Sequence, residues 1–439
     1  MVTDSNAGVR IQNNDRFRAR VEINPRLLLL LLAFSEKNIV RYFVLLVSMI
    51  PIVGDFSGFI VPLLYIVLLF LHLKKYGSHL SLKEASILLF VVFSITFSCV
   101  FYPDNANYIL DSNNFWNTIF PCFKFFLLGL IIIPDKKTMD ALGVLSLLAI
   151  VVESAFVLFY MIPNGLVNMD DMGRSYQILP NLLLALNYTI NHKRPLSIIC
   201  SLIGLVYCLS MGTRGPIMIV FAYIFVKTIQ SASLKTRNKV LLGATMLIVG
   251  FLFLNSDSFV VFLEFIRTQI SSLGLSTRVV DLAIEGNVIS HLSERDEIYA
   301  LLWEKIAQRP FWGYGVYGEW PWIQWNAHNM YLELFVHFGV PLGSIIVLWM
   351  VWQTGKCYFN TPSKSAKDMV LIWFCFVFVK SIFGGSWLNF GVFFLVGLCL
   401  RERRRTTSHY YCDLEQTVET VEEQEGVSNV ETGDSSGRI

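Results

Sequence analysis

Four polar residues could do chemistry in an otherwise apolar chain: Arg174, Arg214, Arg295 and His328. A histidine has an ordinary pKa near 6.5, so it can accept a proton at neutral pH. Guanidinium groups match phosphate oxygens bidentately, so three arginines on one face would make a diphosphate clamp. Arg214 sits in the turn Met211-Gly212-Thr213-Arg214-Gly215-Pro216, which its glycines and proline make short and stiff. Pro216 suits the first turn of a helix, and the free N–H groups there favour an anion. His328-Asn329 closes a polar stretch and opens an apolar one. Asn329 and Glu333 lie four apart and share a helix face. His328 and Tyr331 can meet as well, if the helix already includes His328. Lys380, beside Gly384 and Gly385, is a further candidate for support.

Each of these has a bland alternative. Arg295 can salt-bridge to Glu294 or Asp296, and a histidine at a helix start is often only a cap or surface residue. Arg267, Arg278 and Arg309 share the polar stretch with Arg295, and composition does not rank them below it. His291 and His337 lack the placement of His328 and read as structural. The eight Cys show no Cys-x-x-Cys spacing, and no Asp-x-Asp stands among these blocks. This spacing gives no sign of a metal site, and no cofactor is expected.

The elements that must position these residues are membrane helices. The chain is 54% hydrophobic and 15% charged, against about 25% charged in a typical soluble domain. That excludes an ordinary soluble enzyme. With 35 Phe, 17 Tyr and 10 Trp it is too apolar for disorder, and a net charge of +2 gives no support for nucleic-acid binding. Crossing a bilayer takes roughly 20 apolar residues. About twelve such stretches are legible: 39–56, 57–73, 84–101, 114–133, 139–162, 175–190, 195–211, 216–230, 239–254, 329–353, 369–384 and 387–400. The expected fold is an all-α, polytopic transmembrane bundle. Lys and Arg concentrate in alternate short loops, which places those loops and both termini in the cytoplasm. The organisation read from this is a cytoplasmic arm (1–38), helices over 39–254, a large periplasmic loop (255–328), helices over 329–400 and a disordered acidic tail (401–439). The loop should carry amphipathic helices near 258–270 and 295–308, followed by the Gly- and Trp-rich Pro310–Trp325.

Ionisable residues inside the bilayer are costly, so each needs a reason. Lys124 and Glu153 lie deep on successive helices and could pair. Arg41, His72 and Lys227 lie near helix ends and are expected to snorkel outward.

Several blocks together resemble one family. They are Thr213-Arg214-Gly215, Arg295-Asp296-Glu297-Ile298-Tyr299, Pro310-Phe311-Trp312-Gly313-Tyr314-Gly315, His328-Asn329-Met330-Tyr331-Leu332-Glu333 and Gly339-Val340-Pro341-Leu342-Gly343. In order and spacing they are similar to the O-antigen ligase and polymerase family, as is Arg174 followed by Pro180-Asn181. The resemblance covers about residues 140–400. It implies a membrane glycosyltransferase-like fold in the bacterial inner membrane, with a cavity open to the periplasm and a metal-independent transfer from an undecaprenyl-diphosphate-linked glycan. His328 would be the general base. Arg214 and Arg295, with Arg174, would contact the diphosphate, and Asn329, Glu333, Tyr331 and Lys380 would support them. The implied partners are the lipid-linked glycan, membrane lipid and a chain-length regulator protein. The Pro310–Gly315 and His328–Gly343 blocks look closer to polymerases, which join repeat units, than to ligases, which move a finished chain to lipid A–core. A transporter using Lys124 and Glu153 is the reading from another class; it would call for an internal repeat, and none is evident.

Overall fold

The computed structural model describes residues 24–42, 44, 57–76, 81–111, 115–165, 172–211, 214–231, 238, 241–242, 245, 257–272, 277, 280–281, 284, 295–324 and 327–405. Among the described residues every regular element is helical. In chain order these are α1 (Pro25–Ser35), α2 (Ser57–Tyr76), α3 (Leu82–Phe101), α4 (Pro103–Ile109), α5 (Phe120–Ile131), α6 (Lys136–Phe156), α7 (Met172–His192) and α8 (Pro195–Ser210). They continue with α9 (Arg214–Ser231), α10 (Asp257–Ser272), α11 (Arg295–Gln308), α12 (Trp320–Ile323), α13 (Met330–Asn360), α14 (Lys364–Phe374), α15 (Lys380–Phe383) and a last helix, α16, over 390–405. Short π turns extend α1, α5, α6 and α14, at Glu36–Val40, Phe115–Ile119, Val157–Met161 and Cys375–Val379. The spans expected at 39–56 and 239–254 fall largely outside the described residues, as do the arm before 24 and the tail after 405. Both helices expected in the outer loop are present, as α10 and α11.

Among the described residues three helices are long and apolar enough to cross a membrane: α3, α6 with its π turn (Lys136–Met161), and α13. Their outward faces are apolar where water would demand polarity; Leu89 and Phe93 on α3 are each 66% exposed. Such faces suit lipid. The stretch read as an N-terminal arm already turns helical at Pro25. Asn24 Oδ1 caps α1 by accepting from the Arg26 and Leu27 amides at 3.1 and 3.4 Å, and Pro25 opens it. Leu29, Leu30, Ala33 and Phe34 are then buried; α1 packs against α2 and α6, and the Phe34 ring meets Phe125, Trp373 and Phe394. Between membrane helices close packing replaces the hydrophobic drive. The α5–α16 crossing shows this: a Cβ on Gly129 would lie 2.4 Å from the Phe394 carbonyl, and one on Gly397 would lie 2.4 Å from the Phe126 carbonyl.

The feature that builds the site is a break in α13. Gly339 has φ 77°, and Pro341 follows with no N–H to give. A proline at 341 leaves the His337 carbonyl without its helical donor. The segment Pro310–Gly315 fills the gap. Gly315 N–H donates to His337 O at 3.0 Å, Tyr314 N–H donates to Val336 O at 2.7 Å, and Val340 N–H donates to Pro310 O at 2.7 Å. The freed backbone groups are thus satisfied by another backbone, as a broken membrane helix requires. The approach is close enough that a Cβ on Gly313 (φ 63°) would meet Val336 O at 2.5 Å. The Pro310–Gly315 and Gly339–Gly343 blocks are therefore two halves of one joint. Its far side is held by Ser98 Oγ, which accepts from Val316 N–H at 2.7 Å, and by Asn105 Nδ2, which donates to Tyr314 O at 2.9 Å.

The buried charges pair differently from the sequence expectation. Lys124 bonds Glu36 at 2.6 Å rather than Glu153. Glu153 is taken by Arg174 at 3.6 Å, with Tyr42 and Tyr207 hydroxyls donating to it at 2.6 and 3.0 Å. Lys227 does not snorkel: it forms a buried ion pair with Asp368 of α14. His72 is buried as well. For the three ion pairs the reason is common. A charge in an apolar interior is tolerated when an opposite charge and hydrogen bonds meet it, and partners far apart in sequence supply them.

Candidate functional site

The site begins with the packing of α11 on α13. Leu302 and Ile306 of α11, Leu332 and Val336 of α13, and Ala327 just before α13 form one small buried cluster. The contact brings Arg295, the first residue of α11, towards His328. Tyr299, one turn into α11, donates its hydroxyl to the His328 carbonyl at 3.4 Å. On the other side Asn329 Oδ1 caps α13, accepting from Tyr331 N–H at 3.0 Å and Leu332 N–H at 3.2 Å.

His328 is held between these two ties outside the helix, in a left-handed conformation (φ 51°). For a residue with a side chain this costs about 1–3 kcal/mol, and such strain gathers at functional sites. Because α13 starts only at Met330, the helical contact expected between His328 and Tyr331 does not form. Tyr331 instead donates its hydroxyl to Phe378 O at 3.2 Å. The His328 ring is half-buried. Burial, and then the nearby Arg295 charge, push its pKa below the ordinary 6.5. The imidazole is therefore neutral at pH 7, the form a base must have.

Arg295 and Lys380 face this histidine's end of the molecule from two further elements. A Cβ on Gly384 would lie 4.0 Å from Arg295 Nη2 and 3.7 Å from the Tyr176 hydroxyl. Lys380 Nζ lies 5.2 Å from the centre of the Tyr176 ring. Lys380 follows the π turn Cys375–Val379, and Gly384, with φ 151°, ends α15 directly beyond it. Arg214 is the first residue of α9, which packs against that π turn and α15; its side chain lies outside the described residues. The elements carrying Arg214, Arg295, Lys380 and His328 thus meet at one end of the bundle.

The structure separates the other arginines of the outer stretch, which composition could not rank. Arg267 bonds Asp281 at 2.7 Å, Arg309 stacks over Tyr314 at 4.9 Å, and Arg278 lies outside the described residues. Arg174 is buried and turned to Glu153, so the charge the sequence offered to a diphosphate is already met. Glu333 does not orient His328. It is fully buried, accepts from Ser386 Oγ at 2.5 Å, and belongs to a cluster with Glu319 and His337. That trio has donor atoms within 4.8 Å of one another and is the one group of metal-ligand type among the described residues. Tyr176 and Tyr299 were not legible as site residues. Their only sequence signal is nearness to Arg174 and membership of the Arg295–Tyr299 block.

No curated protein and no solved structure matches the chain. A family model does. It is described as O-antigen ligase and covers residues 199–347, a stretch that contains Arg214, Arg295 and His328 and both halves of the joint at Gly339. The match falls on the same blocks that carry the resemblance in sequence, and residues 199–347 are similar to that family.

Proposed function

We propose that the protein is a metal-independent glycosyltransferase that polymerises undecaprenyl-diphosphate-linked oligosaccharide repeat units at the periplasmic face of the bacterial inner membrane. The product would be O-antigen or a capsular or exopolysaccharide. The observation that carries this reading is a strained, half-buried histidine beside an arginine, both within the matched segment. An acceptor sugar hydroxyl attacks the anomeric carbon of the donor. A new glycosidic C–O bond forms, the bond from that carbon to the diphosphate oxygen breaks, and the acceptor proton passes to His328. Negative charge grows on the departing diphosphate. Fixed cations stabilise such charge most where water is scarce, and Arg295, Arg214 and Lys380 are the residues proposed to supply them. Arg174, balanced by Glu153, is proposed to support the end of α7 that carries Tyr176 rather than to hold phosphate.

Transfer of a finished glycan to lipid A–core is the second reading, favoured by the family model's own description as a ligase. One gel separates the two. Surface glycan from a strain lacking the gene should show core bearing a single repeat unit if the protein polymerises. Bare core, with lipid-linked polymer accumulating, would replace the polymerase reading with the ligase one. Complementation with His328→Ala should fail while the protein still inserts; full-length polymer from that variant would remove the base assignment.

A further inference from the structure

The Glu319–Glu333–His337 cluster lies apart from the proposed chemistry and has an uneven proton count. All three side chains are fully buried. The Trp387 indole N–H, which can only donate, points to His337 Nδ1 at 2.8 Å. The ring proton must then sit on Nε2, which lies 2.5 Å from Glu319 Oε2 and donates to it. The Tyr317 N–H also points at Nε2, at 3.2 Å; with the ring proton on Nε2 this longer approach is a contact and not a bond, and the shorter Trp387 bond decides the tautomer. Ser386 Oγ donates to Glu333 Oε1. Two oxygens are left over: Glu319 Oε1 and Glu333 Oε2 have no hydrogen-bond partner. No Lys or Arg pairs with either carboxyl among the described residues.

Two buried carboxylates side by side with no cation are strongly unfavourable, and an orphaned buried acceptor adds to the cost. A single proton held between the two carboxyls removes the repulsion, and the ligand atoms of the cluster lie within 4.8 Å of one another. A metal ion bound through His337 fits less well. A metal on Nε2, with Nδ1 already accepting from Trp387, would leave the ring with no proton on either nitrogen. We propose that Glu319 and Glu333 share a single proton, and that this pair, with His337 orienting Glu319, is a latch that positions the start of α13 and so His328. The latch joins three segments. Glu319 is in the outer segment, Glu333 and His337 are on α13, and Ser386 and Trp387 follow Gly384, which faces Arg295. The other titratable groups facing the pair are Tyr317 and, from α5, Cys122. Both are acids whose ordinary pKa values, about 10 and 8.5, keep them neutral at pH 7. Glu319, Glu333 and His337 are positioning residues in this scheme and touch no substrate.

The latch does not depend on the transferase reading, because its first readout is the stability of the purified full-length protein in detergent. Thermal midpoints are measured from pH 6 to pH 9 for the wild type and for Glu319→Gln, Glu333→Gln, Glu319→Ala and Glu333→Ala. A glutamine N–H replaces the shared proton, so each single Gln variant should keep the wild-type midpoint at pH 6 and normal surface-glycan length in cells. The Ala variants should lose both. The wild-type midpoint should fall as pH rises and the proton leaves; the Gln variants should not follow it. Gln variants as unstable as the Ala variants would overturn the proposal, and so would a wild-type midpoint that does not change with pH. A midpoint raised by added Mg²⁺ or Ca²⁺ and lowered by a chelator would put a cation where we place the proton.

Discussion

His328 and His337 border the same first turns of α13 and live in opposite electrical company. His337 is closed in: its nitrogens meet an indole N–H and a carboxyl, and it is 1% exposed. His328 is half-open, held in a left-handed backbone by its neighbours rather than by bonds to its ring, with a cation nearby. A ring whose hydrogen bonds are already made is a structural part. A ring left neutral and kept in a strained pose by surrounding groups is suited to take a proton from something else. The two arginines differ in where they point. Arg174 is spent on Glu153, whereas Arg295 faces the end of the bundle where His328, Lys380 and Gly384 gather.

The sharpest way to break the comparison is to exchange the consequences. His328→Ala should lower polymer formation by about 10²–10⁴-fold, the range for losing a general base, with little change in thermal midpoint. His337→Ala should do the reverse, lowering the midpoint and the amount of inserted protein first. Surface glycan on gels and midpoints of the purified variants check both, and matching behaviour of the two histidines would end the distinction. Arg295→Ala should cost about 10²–10³-fold in transfer, as removing a donor to developing negative charge does. Arg174→Ala should instead destabilise by about 3–5 kcal/mol, because it strands Glu153 in the interior; denaturant unfolding in detergent would show it. Full stability in Arg174→Ala together with lost transfer would return Arg174 to the clamp.

A smaller effect tests the joint that carries both histidines. Gly313→Ala and Gly339→Ala each place a Cβ well inside van der Waals contact with backbone it cannot displace, at 2.5 Å from Val336 O and 2.4 Å from Phe311 O. Each should cost about 1–3 kcal/mol from overpacking and left-handed strain. Gly355→Ala, with open space around it, is the control and should cost nothing measurable.

The helices of the described bundle were legible because burial in lipid leaves long apolar runs, as in Leu82–Phe101. Partners were not. Nothing in the sequence says that Lys124 meets Glu36 rather than Glu153, since both choices satisfy the same rule and only the crossing of helices decides. The candidate site was legible in part, through His328 and Arg295, because loop-to-helix boundaries show where a polar residue faces outward. The Pro310–Gly315 and Gly339–Gly343 blocks were legible as motifs but not as two sides of one backbone joint. Gly and Pro advertise an unusual backbone without naming what it packs against. Glu319 and His337 gave no signal, because a buried hydrogen-bonded cluster is defined by distances that sequence spacing does not encode.

The finest test uses pH. Burial and the Arg295 charge both lower the His328 pKa, so transfer should fail on acidification only below the ordinary histidine value of 6.5. The acid limb of kcat/KM reports the free enzyme. Arg295→Gln removes the smaller of the two causes, so its limb should move up in pH while burial still holds it below the ordinary value. A limb that stays in place would mean that Arg295 does not face His328 in the working protein. The limb of kcat carries a further signature. A bound diphosphate brings negative charge to the arginine side of the site, which favours the protonated imidazole. In the wild type the kcat limb should therefore lie at higher pH than the kcat/KM limb. Coincident limbs would place the diphosphate too far from His328 for Arg295 to serve both.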